Sequence, residues 1–455
     1  MSRDTFVFTS STLRSLRLQR ELLDIEEQRR DLYRHPATRL IRGVSQRFWE
    51  PRAPPQICRD VAVHNALFSG DLDKIRSIFK NKESVNAIIE TVSHELCWSS
   101  ELGLWSLSSK QKQTTALCIT AERGYTACLK HLLGYGADVN ASYGGTTALH
   151  KACANGNHEC VLLLLSIGSD ANAFSEEGFA PLHLCTSPKT LRCANLLLDH
   201  GARVNILTQD GENSPLHIAA KHGLCEHVDL YLSYCAYNHK KNREGETALN
   251  AACAYAENRE TFGRYFRVCK ILIDCGAEVK TAGRKNHTPL HNACGNGHYR
   301  IVDLLLQHGA SVNVRNSASY SPMDCILQVV EDHLENSPEL IVLALLNHGA
   351  AVIHPKLLKL CAMCPRTMEA ILNSYEWVPL CDSWIDSVPP DVWQRSEDFY
   401  KSVIGLTNKP RSLQHLARFA IRKYLGIRCH STIPQLKIPS SFKEFLLLKI
   451  EGYVR

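Results

Sequence analysis

No run of about 18 consecutive apolar residues, the length a helix needs to cross a bilayer, occurs in the 455-residue chain, so a membrane span is not expected. The N-terminal stretch MSRDTFVFTSSTLRSLRLQRELL lacks the unbroken apolar segment and small-residue cleavage site of a secretory signal. Asp4, Glu21, Asp24, Glu26, Glu27 and Asp31 argue against a mitochondrial transit peptide, a class poor in acids. Also missing are a phosphate-binding loop, a GxSxG elbow, an HExxH motif and any carboxylate pair with a reason to be close, which points to a binding protein without catalysis or cofactor. Cys361-Ala-Met-Cys364 has no second CxxC or HxxxH to complete four zinc ligands and is read as structural. A formal charge of +6 is mild and its basic residues are spread out, with no finger, RRM or basic-region signature, so nucleic acid is not an expected partner. Nineteen cysteines without a secretion signal are read as reduced thiols, several of them, such as Cys153, Cys185, Cys253 and Cys294, in apolar slots. The expectation is a soluble, cytoplasmic protein, with the nucleus also open to it.

What is present is a period. The segments TALC (115–118), TALH (147–150), APLH (180–183), SPLH (214–217), TALN (247–250), TPLH (288–291) and SPMD (321–324) recur every 32 to 34 residues, with one interval of 41. Each leads into an Ala- and Cys-rich stretch, a leucine-rich run and a closure such as Gly136-Ala137-Asp138-Val139-Asn140 or Gly309-Ala310-Ser311-Val312-Asn313. Thr or Ser ahead of Pro-Leu is an N-cap followed by proline in the first turn, where its missing N–H costs nothing. Leu290, Ala293 and Cys294 then share one face of a short helix, and IVDLLLQ (301–307) supplies the apolar stripe of a second. Gly309 falls where that second helix must stop in the left-handed region. Such a unit cannot bury its apolar face alone; stacked neighbours bury it in a continuous core.

These units resemble ankyrin repeats, whose length and T-P-L-H signature they carry across residues 113–352. A degenerate first unit, VHNALFSGDLDKIRSIF (63–79), keeps the His64-to-Gly70 spacing seen from His150 to Gly156. His150, His183, His217 and His291 occupy equivalent positions, side by side along a solenoid rather than converging, and are read as structural. Two insertions break the period: HELCWSSELGLWSLSSK (94–110) and AYAENRETFGRYF (254–266), both expected as loops. Trp98 and Trp105 in the first are either contact residues or packed on the early repeats. Two neighbouring hairpin tips, NHKKNREG (238–245) and KTAGRKN (280–286), are basic. Lys240, Lys241, Arg243, Lys280, Arg284 and Lys285 are candidates for holding an acidic or phosphorylated target segment, or are simply solvated loop cations.

After Ala351 the pattern stops. HPKLLKLCAMCPRTMEAIL (354–372) and DVWQRSEDFYKSVIGL (391–406) read as helices that cap the solenoid. In SLQHLARFAIRKYLG (412–426) the apolar residues Leu413, Leu416, Ala417, Ala420, Ile421, Tyr424 and Leu425 fall on a single helical face, with His415, Arg418, Arg422 and Lys423 opposite. IPQLKIPSSF (433–442) is too proline-rich for helix, and KEFLLLKI (443–450) reads as a last short helix. An S-L-x-x-x-small-x-x-x-I helix, an L-x-I-P element and a closing FLLL resemble a SOCS box. With the repeats, the chain resembles the ankyrin repeat and SOCS box family over residues 58–455.

The fold expected is therefore all-α: an arginine-rich, partly helical arm at 1–57, ankyrin repeats at 58–352, a helical cap at 353–400 and a SOCS box at 401–455. The resemblance implies a non-catalytic substrate-recognition subunit of a RING E3 ubiquitin ligase, with elongin C, elongin B, cullin-5 with its RING protein, and a target protein as partners. It assigns Leu413, Leu416, Ala417, Ala420 and Ile421 to elongin docking, and Leu436, Ile438 and Pro439 to the cullin-facing element. Ala417 stands where the family has cysteine, a methyl-sized loss of about 1 kcal/mol in a packed interface, and Lys437 stands in place of a proline. The alternatives are an ankyrin scaffold whose terminal helices only cap the array, and a nucleic-acid adaptor using the arginines of residues 14–52.

Overall fold

The computed structural model describes residues 56–99, 104–256, 259–378, 382–407, 409–451 and 454, with the side chains of 91–111, 259 and 382–383 outside that description. The expected arm lies outside it up to residue 55, as do the side chains of Trp98 and Trp105. Helix pairs follow one another along the chain, from Val61–Ser69 with Leu72–Ile78 to Pro322–Gln328 with Pro338–Asn347. Their inward residues, from Leu67 and Ile75 through Leu216 and Val228 to Ile326 and Leu345, belong to one apolar core that continues into Met368, Tyr400 and Val454. The predicted caps are in place: Ser214 and Thr288 accept from the N–H groups of His217 and His291, with Pro215 and Pro289 in the first turn. Gly309 follows the helix Tyr299–Gln307 at φ 81°, a backbone region that a side chain disfavours.

Two polar ladders join unit to unit. In the interior, His150, His183, His217 and His291 are buried. Their Nδ1 atoms accept from the backbone N–H of Thr147, Ala180, Ser214 and Thr288. Nε2 must then carry the proton, and it donates to the carbonyls of Phe179, Ile206, Glu246 and Tyr320 at 3.0–3.1 Å, in the hairpin that begins the next unit. At the equivalent place Asn250 does the same work: Oδ1 accepts from Thr247 and Nδ2 donates to the carbonyls of Thr281 and His287. Nearer the hairpin tips, the asparagine that ends a closure of the G-A-x-V-N kind bridges to its neighbour, with Gly168-Ser-Asp-Ala-Asn172 as a variant of the pattern. Asn140 accepts from Asp170 N–H, Asn172 from Arg203 N–H and Asn313 from Ala351 N–H, at 2.8–2.9 Å.

Several elements differ from the sequence reading. The insertion at 94–110 is not a loop: β2 (Ile88–Ser99) and β3 (Leu104–Thr115) form an antiparallel hairpin, paired from Ile88↔Thr115 to Ser99↔Leu104, and β1 (Ile57–Cys58) joins β2 in parallel. The β-branched stretch Ile88-Ile89-Glu90-Thr91-Val92 favours extended backbone, and the hairpin is the one strand-forming departure among the described residues of an otherwise helical fold. It also moves residue 57 out of the expected arm. The insertion at 254–266 partly extends a helix, Phe262–Asp274. The helix expected over 354–372 is split into a 3-10 segment, Pro355–Leu360, and Pro365–Leu372, because Pro365 can only begin a helix. That over 391–406 breaks at Ser396 (φ −132°, ψ 34°) into Pro390–Arg395 and Glu397–Leu406. The last helix begins earlier than residue 443, at Ser440, with Pro439 as its N-cap, so part of the stretch judged too proline-rich is helical.

Cysteines fill core slots: Cys153, Cys253 and Cys294 are fully buried, and burial raises the Cys294 thiol well above its usual range. Cys361 and Cys364 are buried too, their sulfurs directed to the Leu358 carbonyl and the Thr367 hydroxyl.

Burial pushes His183 down to about 4 and lowers His150, His217 and His291 from an ordinary 6.5. The unfolded chain therefore binds more protons below pH 6.5, so stability is full above that pH and falls as the pH drops toward 4. Thermal melts between pH 7 and 4 should show this loss. His183→Asn, which copies the bonding of Asn250, should flatten the dependence, whereas His183→Ala should cost about 1–3 kcal/mol at neutral pH through a stranded carbonyl and N–H.

Candidate docking interface at the C-terminal helix

The helix Leu413–Leu425 starts at Ser412, whose hydroxyl accepts from His415 N–H, and ends at Gly426, whose φ is 53°. Which face it turns inward is the unexpected feature. His415 is 1% exposed, Arg418 4%, and Arg411, just before the helix, 4%. Leu413 is 85% exposed and Tyr424 84%. The helix thus packs on the protein by the polar face of His415, Arg418 and Arg422 and presents its apolar face to water, except that Leu425 is half-buried against the small core of the box and Lys423 is exposed.

The described acceptors on the buried side are neutral. Asn373 Oδ1 accepts from Arg411 at 3.2 Å and from Arg418 at 3.0 Å. Both guanidiniums also donate to His415 Nδ1, at 2.9 Å each. A guanidinium can only donate, so Nδ1 accepts, the imidazole is neutral, and its Nε2–H donates to the Tyr375 carbonyl at 2.7 Å. Burial and the two flanking arginines depress His415 to about 4, and burial brings Arg411 down to about 10. One turn on, Arg422 donates to Asn347 Oδ1 at 2.6 Å and to the carbonyls of Leu446 (2.7 Å) and Leu346 (3.1 Å). The Phe445 ring lies 4.4 Å from the Arg418 guanidinium carbon. The terminal segment also touches the last repeat directly: a Cβ on Gly349 would lie 2.8 Å from Ile427, and the His348 and His430 rings stack at 3.8 Å.

All five residues assigned to elongin docking are on the free face. Leu413, Leu416, Ala417, Ala420 and Ile421 are exposed, and Tyr424 and Ile427 extend the patch. Tyr424 was visible in the helical periodicity; Ile427, beyond the glycine, was not. The residues assigned to the cullin-facing element divide differently. Leu436 and Ile438 are half-buried against a small core of Cys429, Ile433 and Leu446, while Lys437 and Pro439 are exposed.

On the hairpin tips, Lys240, Lys241, Arg243, Lys280, Arg284 and Lys285 are all exposed. Two of them are already matched: Arg243 lies 3.9 Å from the Glu212 carboxylate and Arg284 3.1 Å from that of Glu244. Carboxylates alternate with cations along the row of tips, so the basic patch is narrower than the sequence suggested and rests on the four lysines. Sequence reasoning missed an apolar notch of about 570 Å³ between two earlier tips, lined by Phe174, Ile206 and Leu207 with Asp170 and Arg203. Its signal was apolar residues directly after the closing asparagines, at Asn172-Ala-Phe174 and Asn205-Ile206-Leu207, where a turn is usually polar.

An array of helix pairs with hairpin tips, joined to a terminal box that leaves an apolar helix face free, defines a class: ankyrin-repeat proteins with a SOCS box, the substrate-receptor type of E3 ubiquitin ligases. The family model for ankyrin repeats (3 copies) matches residues 63–175, 117–210, 162–236 and 216–316, and that for the SOCS box matches 409–447. The chain belongs to the ankyrin repeat and SOCS box family. It is 46% identical to human ankyrin repeat and SOCS box protein 16 over 459 residues, and 48% identical to the mouse protein over 464, in both cases across 100% of either chain. FTSSTLRSLRLQ (8–19), CWSS (97–100) and AGRKNHTPLHNAC (282–294) point to the same member. Human ankyrin repeat and SOCS box protein 18 is 41% identical over 85% of each chain. Among solved structures, the ankyrin repeat domain of human ASB11 is 28% identical, covering 47% of this chain and 91% of that one, with a TM-score of 0.43.

Asn373→Leu removes the acceptor that Arg411 and Arg418 share and should lower stability by about 3 kcal/mol, since hydrogen bonds to buried charged groups are worth about 1.5–3 kcal/mol each. Leu413→Asp, at a position in water, should leave the urea midpoint unchanged, within about 0.5 kcal/mol. The opposite ranking would mean that the helix packs by its leucine face.

Proposed function

We propose that the chain is the non-catalytic substrate-recognition subunit of an elongin B/C and cullin-5 RING E3 ubiquitin ligase, acting in the cytoplasm with the nucleus also open to it. The observation that carries the reading is the outward apolar face of the helix Leu413–Leu425, held in place by a buried polar face. Fully burying a large apolar side chain is worth about 1.5–3 kcal/mol, so Leu413, Leu416, Ile421 and Tyr424 left in water are a standing cost for the isolated chain and a driving force for a partner with a matching groove. Leu413 is the anchor, Ala417 and Ala420 allow close approach of the partner's surface, and Ile421 and Tyr424 complete the contact. A helix that served only to cap the repeats would turn these residues inward, so the exposure favours the ligase reading over the scaffold reading.

Leu436 and Ile438 support the box from within its own small core, which leaves Pro439 and Lys437 as the outward part of the cullin-facing element. The target is held on the row of hairpin tips, by the lysines at 240, 241, 280 and 285 or by the notch around Phe174 and Leu207. Ubiquitin transfer belongs to the other subunits. The repeats contribute placement of the target, and the polar joint at Asn373 and Asn347 fixes where the docking helix sits relative to them.

Co-expression with elongins B and C should give a stable ternary complex, and Leu413→Asp should remove it while leaving the circular dichroism spectrum and melting temperature unchanged. Ala417→Cys should tighten docking several-fold, about 1 kcal/mol against the 1.4 kcal/mol that corresponds to tenfold. Failure of the unaltered chain to assemble with the elongins would return the scaffold reading.

A further inference from the structure

The unit at residues 180–199 differs from its neighbours in a way the ligase reading does not use. Its first helix is replaced by two 3-10 turns, Pro181–Leu184 and Pro188–Thr190, the only such replacement among the described repeats. On the outer side of this unit lies an open groove of about 690 Å³. The helix Leu191–Asp199 forms its middle, and the helices His158–Ser166 and Cys225–Ser233 of the adjoining units form its two sides. Leu162, Leu191, Leu196 and Leu230, at least one from each helix, supply its apolar lining. Leu162 is 46% exposed, although it sits among fully buried residues such as Val161 and Leu164.

The rim is charged, and unevenly. Glu159, Glu226 and Asp229 line it against the single guanidinium of Arg192. None of the three carboxylates takes part in an ion pair with a described residue, in contrast to Glu212 and Glu244 at the hairpin tips. The shape constrains what can lie there. Packed helices stand about 8–10 Å apart, so the two side helices lie about 16–20 Å apart across the middle one, and a helix about 10–12 Å wide laid over Leu191–Asp199 reaches both. The nine-residue floor helix is about 13 Å long, which matches two to three turns of a partner.

The geometry points to a second docking surface, distinct from the C-terminal helix: an amphipathic helix of a protein partner, with an apolar stripe and basic flanks, lies in the groove over Leu191–Asp199. Leucine-type side chains at i, i+3, i+4 and i+7 of the partner meet Leu162, Leu196 and Leu230. Its arginines or lysines meet Glu159, Glu226 and Asp229, which set orientation and reject acidic helices. The groove is lined by helix residues and shares none with the hairpin tips, so the partner and a target on the tips do not compete for the same side chains.

The test is an anisotropy titration of the full chain with a fluorescein-labelled synthetic peptide carrying leucines at i, i+3, i+4 and i+7 and arginines on both flanks. Two control peptides have the same composition scrambled, and the arginines replaced by glutamates. Saturable binding is expected for the first peptide, at least tenfold weaker for either control. Leu162→Arg, and separately Glu226→Arg with Asp229→Arg, each weaken the first peptide at least tenfold while the melting temperature and elongin assembly stay unchanged; all three positions are already exposed, so the fold is not at stake. No binding of the amphipathic peptide, equal binding of the scrambled one, or binding indifferent to both sets of substitutions would each overturn the proposal.

Discussion

A helix that buries arginines and exposes leucines survives only if each buried cation finds an acceptor it would otherwise have had in water. Among the described residues the acceptors are neutral: the side chains of Asn373 and Asn347, the Nδ1 of His415, itself held by the Tyr375 carbonyl, and the carbonyls of Leu346 and Leu446, while Nε and Nη1 of Arg411 find none. A carboxylate in the same place would give stronger attraction at a larger desolvation cost, and a buried ion pair often does no better than break even. Dipolar acceptors instead give direction. Nη2 of Arg411 and of Arg418 and both Nη atoms of Arg422 meet these acceptors, which holds the helix in one rotation about its axis. That rotation decides that Leu413, Leu416, Ile421 and Tyr424 face outward, and the proposed assembly with elongins depends on it.

The same economy runs through the repeats. A solenoid has no long-range contacts to pin its ends, so each junction must hold by itself. The His150, His183, His217 and His291 imidazoles cap one helix with Nδ1 and reach the next hairpin with Nε2. The closing asparagines repeat the bridge nearer the tips. The junctions after the units at 147–172, 180–205 and 288–313 are thus tied on both sides of the apolar core, which stiffens the row of tips that presents a notch at Phe174 or lysines at 240 and 280. The outer groove opens at the unit whose first helix, alone among the described repeats, is reduced to 3-10 turns, so an irregularity in the stack lies next to the unburied Leu162 of the preceding unit.

Much of this was legible in the chain because repeats encode themselves. The N-caps at Ser214 and Thr288, the stop at Gly309 and the interior positions of Leu290 and Cys294 follow from local rules applied to a repeated pattern. The misreadings have local causes as well. The strands at Ile88–Ser99 and Leu104–Thr115 were hidden in and around an insertion with no repeat to compare, where extended backbone depends on the pairing of two neighbouring stretches with each other. The breaks at Pro365 and Ser396 split stretches whose apolar content alone suggested continuous helices. The basic tips at 238–245 and 280–286 looked like one cationic patch because a sequence does not show that Glu212 and Glu244 lie across from Arg243 and Arg284.

What the sequence by itself determined is the unit: its period, its capping residues, its apolar stripe, and the two-faced helix at residues 413–425. Helical periodicity places Leu413 and His415 on different faces, but it carries no information on which of them meets the rest of the protein. Only the tertiary structure decided that, through Asn373, Tyr375 and Asn347, residues 40 or more positions away from their partners His415 and Arg418 or, for Asn347, 75 from Arg422. Hydrophobicity would turn the leucines inward; the specific hydrogen bonds offered to three arginines turn them out. The reason is that apolar burial is non-directional, whereas a guanidinium in the interior must be met at fixed positions by acceptors that distant parts of the chain supply.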